Sequence, residues 1–426
     1  MKSKQNRIKN WFSRLAVCGA AAVTLLSGAV QYYAHHLPDH YYYQTDRPLT
    51  VSAALPVTLS KKPAAVPDIQ EAELRLFGIL PVKTVSLTTV SPVNVYVGGE
   101  PFGIRMLMDG VMVVSMSGIR TQDGTFCPAE QAGILTGDII QEINGEPVSS
   151  NADLQNAVAA SGGKPVKVTL LRGDARHTVL VTPVYSSSAN RWQTGMWVRD
   201  STAGIGTVTY YHASPDGSVQ FAGLGHAVCD ADTGELIPLG SGDVIAVSVK
   251  DVRRGSAGAP GELKGRFDTG RAIGTLMSNH ANGVFGTVYA LPEKQILLPL
   301  GFAQDIRRGD AQIFTTISGA EPKAYSVEIE EIRSNDPAMR NLVLHVTDPE
   351  LLEKAGGIVQ GMSGSPIIQD GRLIGAVTHV FVKDPTRGYG IFAENMYAQT
   401  ASQAVAAEKA AGTKAAISFQ MQNSGR

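Results

Sequence analysis

Gly361-Met362-Ser363-Gly364-Ser365-Pro366 lies between two short apolar runs, Ile358-Val359 before it and Ile367-Ile368 after it. Glycine at 361 and 364 permits a tight turn, and Pro366 fixes the exit into the next strand. On such a turn the amides of Gly361 and Ser363 converge beside the Ser363 hydroxyl. Two N–H donors aimed at one point are what a developing oxyanion needs. Ser363 is therefore the candidate nucleophile, with the Gly361 and Ser363 amides as the candidate oxyanion hole. Ser365 is the rival, but it does not place two amides beside the attacking oxygen.

A serine hydroxyl attacks only when a base takes its proton, and histidine titrates in the right range. Far upstream, Gly225-His226-Ala227-Val228 puts an imidazole next to a glycine and a short apolar segment. His226 is the candidate base. His379, in Val377-Thr378-His379-Val380, is the second candidate. The acid that would orient the ring is open on residues alone. Asp348 precedes Pro349 and reads as a helix cap. Asp268, ahead of Gly270, follows the order base, acid, serine. Asp230 and Asp232 lie too near His226 to orient its far nitrogen easily, and a dyad assisted by a backbone carbonyl is a further option.

Outward from these motifs, the region 191–400 carries many short strand signals, among them 205–211, 243–249, 284–289, 311–317, 325–332 and 373–382. Such spacing, with 45 Gly and 22 Pro in 426 residues, predicts barrels or a sandwich rather than alternating helices and strands. A formal charge of −1 supplies no basic field for nucleic acid. His226 and Cys229 form a lone His-x-x-Cys pair with no second cluster, so neither a metal nor a cofactor is expected. Cys18, Cys127 and Cys229 make no disulfide framework.

The N-terminus (1–38) carries Lys2, Lys4, Arg7, Lys9 and Arg14, and then no charged Lys, Arg, Asp or Glu from Leu15 to Pro38. That pattern marks an export signal or a retained membrane anchor, with the basic flank inside. Residues 39–92 read as a linker with Pro63 and Pro67, plus a short β segment at Val82–Thr88. Residues 401–426 form an Ala-rich tail, and Tyr185–Asn190 a polar hinge.

From 93 to 185 the order of elements resembles a PDZ domain, carried by Ala132-Gly133-Ile134-Leu135-Thr136-Gly137-Asp138-Ile139-Ile140-Gln141-Glu142-Ile143-Asn144-Gly145-Glu146-Pro147-Val148. The resemblance implies peptide binding by strand addition, with Phe102-Gly103-Ile104 as the carboxylate-binding loop. The ligand would be a partner's C-terminus or a segment of this chain.

The serine turn resembles that of chymotrypsin-like peptidases, which implies an all-β protein: a PDZ-like domain followed by a double β-barrel. From the N-terminal anchor through about residue 397 the chain is similar to the stage IV sporulation protein B family. The shared motifs are Leu224–Val228, Asp232-Thr233-Gly234, Thr347-Asp348-Pro349, Gly357–Ile368 and Gly375–Val382. The resemblance implies a catalytic set of His226, Asp348 and Ser363, and raises Asp348 above Asp268. It also implies self-cleavage and cleavage of a membrane-bound regulator of an intramembrane protease that activates a late sigma factor. The place of action would be the forespore membrane and the intermembrane space. The contrasting expectation is a PDZ-containing scaffold in the same compartment whose barrel has lost catalysis.

Overall fold

The computed structural model describes residues 2–44, 49, 51, 53–61, 69–214 and 216–402. Two closed barrels of strands dominate it. The second is a ring of six: Gly309–Thr315, Lys323–Ile332, Leu342–Val346, Asp384–Phe392, Arg372–Phe381 and Pro366–Gln369. Ile313, Ile329, Leu342, Leu344, Ile367 and Val377 alternate inward along these strands and fill its core. Inward alternation on every strand is what closure of a small barrel requires.

The first barrel closes through less regular pairings. Its ring runs Pro101–Met116, Leu239–Arg253, Glu262–His280, Gly283–Val288, Val219–Gly223 and Met196–Ala213, and the last strand pairs back onto the first. Phe102, Ile104, Met106, Phe221, Val244 and Val284 form its core. The double barrel is thus all-β, as the turn and strand spacing suggested.

The PDZ domain is inserted between two strands of this first barrel. Pro101–Met116 serves both bodies: its first half pairs in the barrel, and Val111–Met112 pair with Ile139–Ile140 of the PDZ sheet. Gly110, at φ 111°, sits at the changeover. Added to that edge are the helix Asn151–Ala160, capped by Ser150, and the strands Val166–Arg172 and Ala175–Val181. Leu154, Val158, Ile140 and Val168 share one core with Val111 and Val113.

This arrangement shifts two of the expected boundaries. Residues 94–108, expected inside the PDZ-like module, pair with barrel strands instead. Residues 40–90 are more than a linker: His40–Gln44, Leu80–Val90, Ile69–Leu76 and Val57–Lys61 make a four-stranded sheet. Its core takes in Tyr33 and Leu37 from the end of the N-terminal helix and its extension. The Pro63–Pro67 linker and most of the Ala-rich tail lie outside the described residues. The helix Lys2–His36 includes a stretch, Arg14–His36, that is long and apolar enough to cross a membrane.

Candidate active site

Between the two barrels lies a cleft of about 410 Å³. Ser363, His226 and His379 all line it, together with Gly361 and Thr202–Ile205 of the long strand Met196–Ala213. Each barrel supplies one of the two candidate reacting groups, His226 from the first and Ser363 from the second.

The nucleophile turn is held from both sides. Gly364 N–H donates to the Val377 carbonyl at 2.7 Å, and Ser365 N–H to Met362 at 2.9 Å. From the first barrel, Thr207 N–H donates to the Ser363 carbonyl at 2.9 Å and Thr207 Oγ1 to the Gly361 carbonyl at 2.8 Å. Gly364 has φ 96°, and a Cβ there would overlap the Thr207 carbonyl oxygen. Among the described residues no acceptor meets the Gly361 or Ser363 amide. Both residues are half-buried at the cleft, so these amides are available to a ligand oxygen. Ser363 Oγ donates to the Thr378 carbonyl at 2.6 Å. Ser365 is fully buried and its Oγ donates to the Met362 carbonyl at 2.7 Å, which removes it from the cleft.

His226 follows a sharp turn in which Leu224 and Gly225 are both left-handed, at φ 64° and 68°. A branch at Gly225 would strike Ile391 and Thr378 of the other barrel, so the glycine lets the barrels close on each other. The His226 Nδ1 lies 2.7 Å from the Ala227 carbonyl. A carbonyl only accepts, so Nδ1 carries the proton and Nε2 keeps its lone pair. Burial lowers the His226 pKa below 6.5, opposed by the Ala227 hydrogen bond. His379 lies beside it, ring centroids 4.7 Å apart and tilted by 36°. Burial first, then the positive charges that His226 and Arg340 would carry, lower His379 to about 4. Both rings are therefore neutral near pH 7.

Sequence reasoning missed what holds the His226 loop. Asn279 is buried; its Oδ1 accepts from Val228 N–H at 2.8 Å, and its Nδ2 donates to the Val228 and Ile237 carbonyls at 2.8 and 2.9 Å. Nothing local marks Asn279, because its partners are about forty to fifty residues away in sequence.

Three expected site assignments are corrected. Asp348 caps the helix Pro349–Ala355, accepting from the amides of Ser326, Glu350 and Leu351 at 3.0–3.2 Å. It does not line the cleft, and among the described lining residues there is no carboxylate. Asp268 is exposed on the strand Glu262–His280 and does not line the cleft either. Asp230 and Asp232 pair with Arg199. Phe102-Gly103-Ile104 is no loop: Phe102 and Ile104 are buried in the first barrel. The missing Cβ of Gly103 makes room for the Phe267 ring rather than for a ligand carboxylate.

Comparison with known proteins finds a peptidase family and a PDZ domain. Residues 190–397 match the family model described as SpoIVB peptidase S55, and residues 124–172 match that of a PDZ domain. HhoA of Synechocystis sp., assigned by name as a serine protease, is 43% identical over 75 residues, 17% of each chain. The match therefore spans under a fifth of that relative. Among solved structures, the PDZ domain of the SdrC-like protein of Listeria monocytogenes has 23% identity and a TM-score of 0.18, covering 21% of this chain and 87% of that one. The Rv3671c protease of M. tuberculosis, in an inactive form, has 19% identity and a TM-score of 0.27, covering 46% and 83%.

By these matches the chain carries a serine peptidase domain and a PDZ domain. Its peptidase region, residues 190–397, is similar to the SpoIVB S55 peptidases, the match covering just under half of the chain.

Proposed function

We propose that the cleft between the barrels is the site of endopeptidase chemistry, with Ser363 as nucleophile and His226 as general base. The observation that carries this reading is that Ser363, His226 and Gly361 line one cleft and that, among the described residues, no acceptor meets the Gly361 and Ser363 amides. Rotation about χ1 turns Ser363 Oγ away from the Thr378 carbonyl and toward His226 Nε2. Nε2 takes the hydroxyl proton as Oγ bonds to the substrate carbonyl carbon. The Gly361 and Ser363 amides receive the oxyanion. His226 then returns the proton to the leaving amine.

Among the described residues no carboxylate lines the cleft to face the imidazolium formed on the way. The Ala227 carbonyl fixes the tautomer and takes over the orienting role of an acid. A carbonyl is a weaker counter to positive charge than an anion, so the base operates with a lowered proton affinity.

Beyond the chemistry, we propose that the enzyme works in sporulation signalling on the outer side of the membrane, tethered through Arg14–His36 or released from it. It cuts its own N-terminal region and a membrane-bound protein that restrains an intramembrane protease, in the space between forespore and mother cell. The family description and the N-terminal helix support this reading. A tether and a peptide-binding module raise the local concentration of such a substrate.

The test is the full-length chain in detergent micelles, followed by intact mass over time as wild type, Ser363→Ala and Ser365→Ala. Self-processing is expected to stop in Ser363→Ala and to persist in Ser365→Ala wherever that variant folds. Processing that continues in Ser363→Ala removes the assignment.

A further inference from the structure

The PDZ edge strand Val111–Met116 has no open side. One edge pairs with Ile139–Ile140, and the other pairs antiparallel with Met196–Arg199. The register sets Met196 opposite Met116, Trp197 opposite Ser115, Val198 opposite Val113 and Arg199 opposite Met112. Strand addition to such an edge is how a PDZ domain takes an extended peptide. Here the chain's own segment stands in that position. Met196 and Val198 pack on the cluster that contains Leu154 and Val158 of the PDZ helix, while Trp197 between them is exposed. The Asp200 carboxylate accepts from the Asn151 amide at 2.9 Å, in the first turn of that helix.

The same segment reaches the cleft by two routes. Arg199 pairs with Asp230 and Asp232, which lie in the turn that follows His226. Asp230 is buried, and its Oδ1 accepts from the amides of Asp232 and Thr233 at 3.0 Å, so Arg199 anchors an ordered turn. The strand then runs on through Thr202–Ile205 in the cleft wall to Thr207, which holds the Ser363 turn. With the groove filled in this way, the Ser363 hydroxyl is bonded to Thr378 and not to His226.

We propose that Met196–Asp200 is a resident, exchangeable ligand of the PDZ groove. An extended peptide with apolar residues at alternate positions and an acidic residue behind them replaces it, and the exchange shifts the peptidase cleft out of its resting arrangement. A ligand shifts such an equilibrium only by its differential affinity for the two states. The peptide meets that condition because it binds only where the segment has left. The second half of the proposal, on cleavage, rests on Ser363 and His226 being the reacting pair; the first half does not.

The experiment uses the full-length chain in detergent micelles and a fluorescein-labelled peptide with the sequence of Thr194–Ser201 as probe. Ser115→Cys with Trp197→Cys places two thiols at opposed, exposed positions of the pairing, and oxidation links the segment to the groove. Mass mapping of the linked peptides establishes the bond. We expect the reduced protein to bind the probe, the linked protein to bind it at least about tenfold more weakly, and reductant to restore binding. Failure of the bond to form under oxidation, equal binding by linked and reduced protein, or no binding by the reduced protein each overturns the exchange. Self-processing is followed in the same samples. It is expected to quicken with peptide in the reduced protein and not in the linked one. Binding without that change overturns the coupling alone, and inactivity of every sample speaks against the catalytic reading while leaving the binding arms intact.

Discussion

The two barrels contribute equally to the cleft and are built in opposite ways. The second is assembled from neighbours in sequence: its strands run from Gly309 to Phe392, and the Ser363 turn is pinned by bonds to Val377 and Met362. The first spans Pro101 to Val288 with the whole PDZ domain inserted between two of its strands. The loop that carries His226 is held by Asn279 and, through Asp230, by Arg199. The Ser363 turn is built within its own barrel and braced from the other one by Thr207 and Thr209. The His226 loop rests on groups distant in sequence, so events elsewhere in the first barrel can move it.

The contrast predicts unequal consequences. Removing either reacting group has the largest effect: Ser363→Ala or His226→Ala is expected to lower kcat about a million-fold, as when a nucleophile or base is lost from a cooperating set, with the melting temperature little changed. Activity in His226→Ala at a tenth of wild type would move the base to His379. The pH profile sharpens the same assignment. His226 must be neutral to accept the proton, and burial lowers its pKa below 6.5. Activity is therefore lost as pH falls, and the acid limb of kcat/KM lies below 6.5. A limb above about pH 7 would reveal an anion facing the ring.

Next is the seam where the barrels meet. Gly364→Ala puts a Cβ against the Thr207 carbonyl oxygen at a left-handed position. The turn must shift, and a displacement of that kind costs about 100-fold in rate. Circular dichroism and a melting curve would show whether the second barrel stays folded, as its local construction implies. Unaltered activity would mean that Thr207 does not set the turn.

Smaller again is the effect of loosening the histidine side. Asn279→Ala leaves the Val228 amide and the Val228 and Ile237 carbonyls without their partner. Unsatisfied buried groups cost about 1–3 kcal/mol each, and partial access to water will reduce that. We expect a drop in kcat of about tenfold, since small misplacements of a base are felt directly in the rate, with faster amide exchange in 228–237. A loss confined to stability, with kcat intact, would make Asn279 a structural clamp only.

These differences also explain what was legible in the sequence. Gly361–Pro366 and Gly133–Val148 could be read because turn chemistry and apolar alternation are local. Phe102-Gly103-Ile104 was misplaced because a glycine between apolar residues looks the same whether it admits a ligand backbone or the Phe267 ring. The strand Pro101–Met116 serves two bodies, and a boundary drawn at 93 has no local sign of that. The filling of the PDZ edge by Met196–Arg199 is a pairing across about eighty residues, beyond any periodicity argument.

The smallest expected effect decides the most about the acid. Asp348 has a sufficient structural reason to be an aspartate: its carboxylate meets the amides of Ser326, Glu350 and Leu351 and starts the helix Pro349–Ala355. Loss of such a cap costs about 1 kcal/mol. Asp348→Ala should therefore lower the melting temperature modestly and leave kcat within a factor of about three, well short of the roughly 10⁴-fold loss that follows removal of a triad carboxylate. Asp348→Asn separates the two roles further, because asparagine is itself a good N-cap but carries no charge to stabilise an imidazolium. Near-normal kcat in both variants means that the Ala227 carbonyl suffices to orient His226. A collapse of kcat in Asp348→Asn, at unchanged stability, would require the second barrel to deliver Asp348 to the cleft during turnover, and would make the nucleophile side the mobile one.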